Sequence, residues 1–270
     1  MEWKNIYRGM MIGTSDIVPG VSGGTIAVLL GIYDRLIAAI SGFFSREWKK
    51  HFGFLFPLGI GAVLAVFLLS HLIEWLIEFH FQATMFFFLG LIGGILPYLL
   101  RDINYKETFR APHYAILVIA GLFIASTAFI GAREEIIIES YTLSSALVLF
   151  GSGFVASMAM ILPGISGSFV LLLLGTYEPV LGAVTSFNIP MIATVAIGIL
   201  LGLVMCSKAI TYLLKKMPVF TYAFIIGIVA GSMVVIFPGI EPNFFLLLTS
   251  ILTFIVGFYV AVTLGKVEHS

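Results

Sequence analysis

Charge is scarce in this chain. Asp, Glu, Lys and Arg supply 10% of its 270 residues, against about 25% in an ordinary soluble domain. The few charges cancel, 14 basic against 14 acidic, so the chain offers no basic face of the kind nucleic acid requires. Cys206 is the single cysteine, which excludes an intramolecular disulfide and a cysteine-type metal site. His, Asp and Glu nowhere fall at metal-ligand spacing, so neither metal nor cofactor is expected. A nucleotide-binding motif is also missing, which argues against direct use of ATP without a partner. The first ten residues, MEWKNIYRGM, hold only short apolar pieces, so a cleaved signal peptide is not expected.

Apolar residues are what the chain has in abundance. They make up 60% of the sequence, and the mean hydropathy is +1.12. A soluble fold of this size has no interior large enough to hide them. The composition therefore points to an integral membrane protein. Six stretches are long enough to cross about 30 Å of hydrocarbon as helices. They lie at about 54–73, 84–100, 113–131, 191–213, 219–237 and 244–264. Glu74, Glu78 and His80 fall between the first two and are expected in an outer loop.

Two further apolar regions, 9–40 and 142–187, are each interrupted by a Pro-Gly-rich break. The breaks read IVPGVSGG at 17–24 and ILPGISGS at 161–168. Proline removes a backbone donor and glycine frees φ, so no helix runs smoothly through either. If each region crossed once, with the N-terminus inside, the 14 Lys and Arg would divide seven and seven. If each enters and returns, only Arg133 is left outside. Thirteen to one is a strong positive-inside bias. Re-entrant hairpins with both termini cytoplasmic are therefore expected, although the second region is long enough to cross twice.

The two breaks are copies of each other. Residues 16–37 align with 160–181 at an offset of 144, with Pro19/Pro163, Gly20/Gly164, Ser22/Ser166, Gly23/Gly167, Gly31/Gly175 and Tyr33/Tyr177 identical. Further on, the offset is 137: Gly61/Gly198, Ser70/Ser207, Thr84/Thr221, Gly90/Gly227 and Gly94/Gly231. The chain thus reads as one transmembrane transporter domain over 1–270. Its parts are a repeat at about 9–102, a linking helix at about 113–131, a second repeat at about 142–238 and a C-terminal helix at about 244–264. One linking crossing between the repeats sets them in opposite orientation. The expected fold is an all-α polytopic membrane protein with two inverted-topology repeats, an arrangement typical of transporters.

Each break restarts a helix, and a helix start carries free N–H groups and partial positive charge. Ser22, Thr25, Ser166 and Ser168 add hydroxyls there, and Gly23, Gly24 and Gly167 admit a ligand close to the backbone. Together they suit an anion, phosphate above all. The competing reading is that these small residues only pack helices closely. Gly20-Val21-Ser22-Gly23-Gly24 also fits G-x-S-x-G, but a nucleophilic serine needs a base. The five histidines, at 51, 71, 80, 113 and 269, sit at span ends or in loops. Asp16, facing Met160 in the alignment, is either a proton-coupling carboxylate or a cap of the short helix. Arg133 could capture an anionic head group outside, or be neutralised by Glu134 and Glu135.

The motifs DIVPGVSGGT at 16–25 and ILPGISGS at 161–168, with LGIYD at 30–34 and LGTYE at 174–178, resemble the bacterial polyprenyl-phosphate transporter family. The resemblance covers Arg8 to about Lys266. It implies a non-enzymatic flippase in the plasma membrane that returns undecaprenyl phosphate between leaflets, for carrier-lipid recycling in cell-wall synthesis. By motif, the phosphate would be held by Ser22, Gly23, Gly24, Thr25, Ser166, Gly167 and Ser168. The second copy has Ser168 in place of Gly24 and Phe169 in place of Thr25, so the half-sites are unequal. Protons are a candidate coupling ion at Asp16. A transporter or channel for a small soluble anion, and an intramembrane serine hydrolase, are the alternatives.

Overall fold

A computed structural model describes residues 1–18, 20–130, 135–138 and 140–268, with residues 267 and 268 described through their backbone alone. The described residues form helices and no strand. In chain order the helices are α1 (Asn5–Ile17), α2 (Gly23–Leu29), α3 (Tyr33–Ser41), α4 (Trp48–Asp102), α5 (Tyr105–Thr108), α6 (Ala111–Thr127), α7 (Leu143–Ile161), α8 (Gly167–Leu174), α9 (Tyr177–Thr185), α10 (Ile189–Lys216), α11 (Pro218–Val235) and α12 (Phe244–Glu268). Five of them are long and apolar enough to cross a membrane, and a sixth span would come from α8 and α9, which meet at 111°. The chain is a multi-pass membrane protein.

The sequence starts and stops these helices by ordinary means. Thr142 caps α7 in a reciprocal box with Ser145, and Asn188 Oδ1 accepts the Met191 N–H at the start of α10. Proline opens α6, α10 and α11 at the first or second position, where no intrahelical donor is lost. Gly31 and Gly175 end the two short helices with φ of 63° and 68°, a region closed to most side chains.

The outer loop expected between Glu74 and His80 is not there. At about 1.5 Å per residue, the 55 residues of α4 would span roughly 80 Å, well over twice the hydrocarbon thickness. A kink at His80 (φ −136°, ψ 36°) makes the reversal instead. Thr84 Oγ1 donates to the carbonyls of both His80 and Leu76 and so ties the two sides of the kink together. Met217, one repeat later, holds nearly the same backbone (φ −140°, ψ 57°) between α10 and α11. Thr221 Oγ1 likewise donates to the Met217 carbonyl. The linking helix α6 also runs earlier than the expected 113–131, and α12 extends past 264.

Glycines pair the helices. α1 packs on the first arm of α4, α7 on α10, the second arm of α4 on α12, and α6 on α11. A Cβ at Gly61 would strike the Ile6 carbonyl, and one at Gly198 the Phe150 carbonyl. Gly90 meets the Phe254 carbonyl and Gly227 that of Leu117 in the same way. Such small-residue contacts let backbones approach where lipid gives no hydrophobic drive between helices. Gly61, Gly198, Gly90 and Gly227, which repeat in the sequence, thus stand where neighbouring helix backbones touch, as do Gly9, Gly202 and Gly257. The main buried cluster centres on α2, whose seven residues are all buried.

Candidate functional site

The two breaks fold alike. Each preceding helix ends on an extended residue, Val18 (ψ 120°) and Leu162 (ψ 127°). Gly20 (φ 83°) and Gly164 (φ 85°) then turn the chain through the left-handed region. Ser22 (φ −108°, ψ 128°) and Ser166 (φ −89°, ψ 130°) lead into the next helices. A residue with a side chain would be strained at either position, which explains the glycine in both copies.

The breaks also touch. Gly164 N–H donates to Thr25 Oγ1 at 2.7 Å. Ser22 Oγ reaches the Leu162 carbonyl at 3.4 Å. Gly24 has Ile161 O and Pro163 Cα beside the place a Cβ would take, at 3.2 and 3.3 Å. Residues about 140 positions apart are therefore knitted into one junction.

The two helix starts are not equivalent. On α2, Asp16 Oδ1 accepts the Gly23 N–H at 2.9 Å, and Ser22 Oγ accepts the Gly24 N–H at 3.2 Å. Thr25, 1% exposed, is spent on the other break. Asp16 therefore does cap the short helix, from the preceding helix rather than from the position before it. On α8 no side chain caps the start, and no residue of this helix is buried. Ser166 Oγ and Ser168 Oγ lie 2.8 Å apart. One of these hydroxyls donates to the other, which leaves one O–H free for a ligand.

Asp16, Ser22, Gly23, Ser166, Gly167 and Ser168 all line one cavity of about 290 Å³. The structure thus gathers five of the seven expected phosphate residues, together with the expected coupling carboxylate. Gly24 and Thr25 are not among the lining residues; they are buried in the junction. Arg133 lies outside the described residues. The remaining wall is apolar or small: Gly153, Ala156, Ser157 and Met160 of α7, with Val195 and Ile199 of α10. Sequence reading did not single out this wall. Gly153, Ala156, Ser157 and Met160 recur at helical spacing along one face, but so does any packing stripe.

Asp16 is the one ionisable side chain lining the cavity, and no histidine lines it. Among the described residues neither Ser22 nor Ser166 has the adjacent base that a nucleophile needs, and no group of three His, Cys, Asp or Glu could hold a metal. The arrangement offers helix-end N–H groups and hydroxyls against a largely apolar lining. That suits a small anionic group attached to an apolar body.

Comparison with known proteins agrees with this chemistry. Residues 12–249 match the VCA0040-like family model, described as undecaprenyl phosphate translocase-like. The chain is 46% identical over 275 aligned residues to the polyprenyl-phosphate transporter of Staphylococcus aureus (strain NCTC 8325 / PS 47), covering 98% of this chain and 97% of that one. It is 36% identical over 255 residues to the polyprenyl-phosphate transporter of Vibrio cholerae serotype O1, covering 89% and 80%. No solved structure matches. With a family model spanning the paired breaks and two such relatives along most of their length, the chain belongs to the undecaprenyl phosphate translocase-like family.

Proposed function

We propose that this protein carries polyprenyl phosphate, undecaprenyl phosphate in particular, between the leaflets of a bacterial plasma membrane, and that it is not an enzyme. The observation that carries the reading is the uncapped start of α8, open to a cavity formed where the two breaks meet. Ser166, Gly167 and Ser168 hold the phosphate, and Ser22 and Gly23 form the opposite wall. The apolar lining takes the first carbons of the chain while the remainder stays in lipid. A soluble anion would gain nothing from that lining.

In this reading both termini are cytoplasmic, and the two halves are inverted about the membrane midplane. α1 with α2, and α7 with α8, form hairpins that enter from opposite faces. The lengths support it: about 20 Å for α1 and 28 Å for α7, each followed by a return of only about 10–12 Å. Asp16 is the coupling group. It takes up a proton as the phosphate enters, because two uncompensated negative charges in so apolar a cavity would repel strongly.

The test is protein-dependent flipping of a fluorescent short-chain polyprenyl phosphate in liposomes. Ser166→Ala with Ser168→Ala should lower the rate at least about tenfold, the loss of one or two charge-assisted hydrogen bonds. Asp16→Asn keeps an acceptor for Gly23 and should flip at a rate that no longer responds to pH. Flipping unchanged in the double serine variant would move the site elsewhere.

A further inference from the structure

We propose that a pocket at the C-terminal end of α2 binds a hard metal cation through Asp34 and Asp102. The pocket, about 190 Å³, is lined by Val28, Gly31, Tyr33, Asp34, Asp102 and Tyr222, with Leu99 and Ile225 behind them. It lies away from the phosphate cavity and shares no residue with it.

Among the described residues its two carboxylates have no cationic side chain beside them; Asp34, in the first turn of α3, has only the partial positive charge of that helix start. Asp102 is the last residue of α4, and the pocket also receives the end of α2. Helix C-termini carry partial negative charge, so a carboxylate is disfavoured at either. Asp34 accepts a hydrogen bond from Tyr222 Oη at 3.0 Å. Among the described residues no Lys, Arg or His lies within 4 Å of either carboxylate. The two nearest cations in sequence are turned away. Arg35 pairs with Glu2 at 2.7 Å and lies over the Phe54 ring. Arg101 lines a separate cavity with Lys106 and Glu107.

Tyr33 supplies an independent observation. It is 5% exposed, lines the pocket, and its hydroxyl has no hydrogen-bond partner among the described residues. That hydroxyl lies within electrostatic range of Asp34 and Tyr222, and also of Cys206 on α10. A buried hydroxyl left unbonded is uncommon and calls for a ligand or a reason. Among the described residues the Gly31 carbonyl has no backbone donor either, whereas its repeat counterpart, the Gly175 carbonyl, accepts the Ile136 N–H at 2.8 Å. Two carboxylates, tyrosine hydroxyls and a carbonyl make an all-oxygen set, the preference of Na⁺, Mg²⁺ and Ca²⁺ rather than of softer metals.

The test is thermal unfolding of the purified full chain in NaCl, MgCl₂ or CaCl₂ against choline chloride at equal ionic strength. One metal chloride should raise the melting midpoint by about 3 °C or more at saturation. Asp34→Asn with Asp102→Asn should abolish that shift, and in choline chloride should melt close to wild type, because asparagine keeps an acceptor for Tyr222 Oη and the repulsion between the two carboxylates is gone. Tyr33→Phe should raise the half-saturating concentration several-fold. If the double variant does not fold, Asp102→Asn alone, at an exposed helix end, makes the same comparison. No metal-specific shift, or an equal shift in the neutralised variants, overturns the proposal. The readout is binding, so it stands or falls apart from the lipid-phosphate reading; only a role in driving transport rests on that.

Discussion

Thr25 shows how one hydroxyl can be structural within a motif that reads as a binding loop. It is buried and accepts the Gly164 N–H at 2.7 Å, the shorter of two side-chain bonds from the first break to the backbone of the second. Thr25→Val keeps the shape and removes the acceptor. The buried N–H is then left unpaired, at a cost of about 1–3 kcal/mol. Chemical denaturation in detergent should show that loss, and Thr25→Ser should recover most of it. Read as sequence, the seven motif residues share one role, because hydroxyls and glycines at a helix start look alike whichever way they point. Asp16 was legible as a cap or a coupling group; its bond to Gly23 makes it the cap, and coupling through the same carboxylate stays part of the proposal. What was not legible was which half-site is closed. Gly24/Ser168 and Thr25/Phe169 marked a difference, but only packing shows that α2 is sealed and α8 open.

Among the elements, the helix pairs were more legible than the turns. Gly61/Gly198 and Gly90/Gly227 recur at one offset, and each stands where a neighbouring carbonyl leaves no room for a Cβ. Gly198→Val should separate α7 from α10 and destabilise the protein by at least about 1–3 kcal/mol. Gly151→Ala, on the same helix pair with nothing within 4 Å of its missing Cβ, should be neutral or slightly stabilising. Comparing the yields and melting midpoints of the folded variants would check both. The reversal at His80 was not legible. A polar stretch between two apolar runs ordinarily reads as a loop. The features that allow a single-residue kink are the threonine four positions on and the Gln82 side chain, which donates to Ser250 Oγ and accepts from the Glu241 N–H.

For the whole molecule, composition alone established a membrane protein, and the count of Lys and Arg gave its orientation as a proposal that labelling can test. Cys206 is buried, so Cys206→Ser provides a quiet background. In it, Ser45→Cys, between α3 and α4, should react with a membrane-impermeant thiol reagent only once the cytoplasmic face is opened. Ser140→Cys, just before α7, should react in intact cells. Both sites are exposed. Labelling of both from one side would overturn the inverted arrangement. The glycine contacts that fix the four helix pairs also determine where the molecule is able to bend. Two backbones held against each other, carbonyl against bare Cα, cannot slide without losing the fit along their whole length, so each pair travels as one plank. The freedom left to the protein lies in the joints between planks, where the two Pro-Gly breaks are sewn together by a few single hydrogen bonds. A carrier built this way would change shape at the proposed phosphate site.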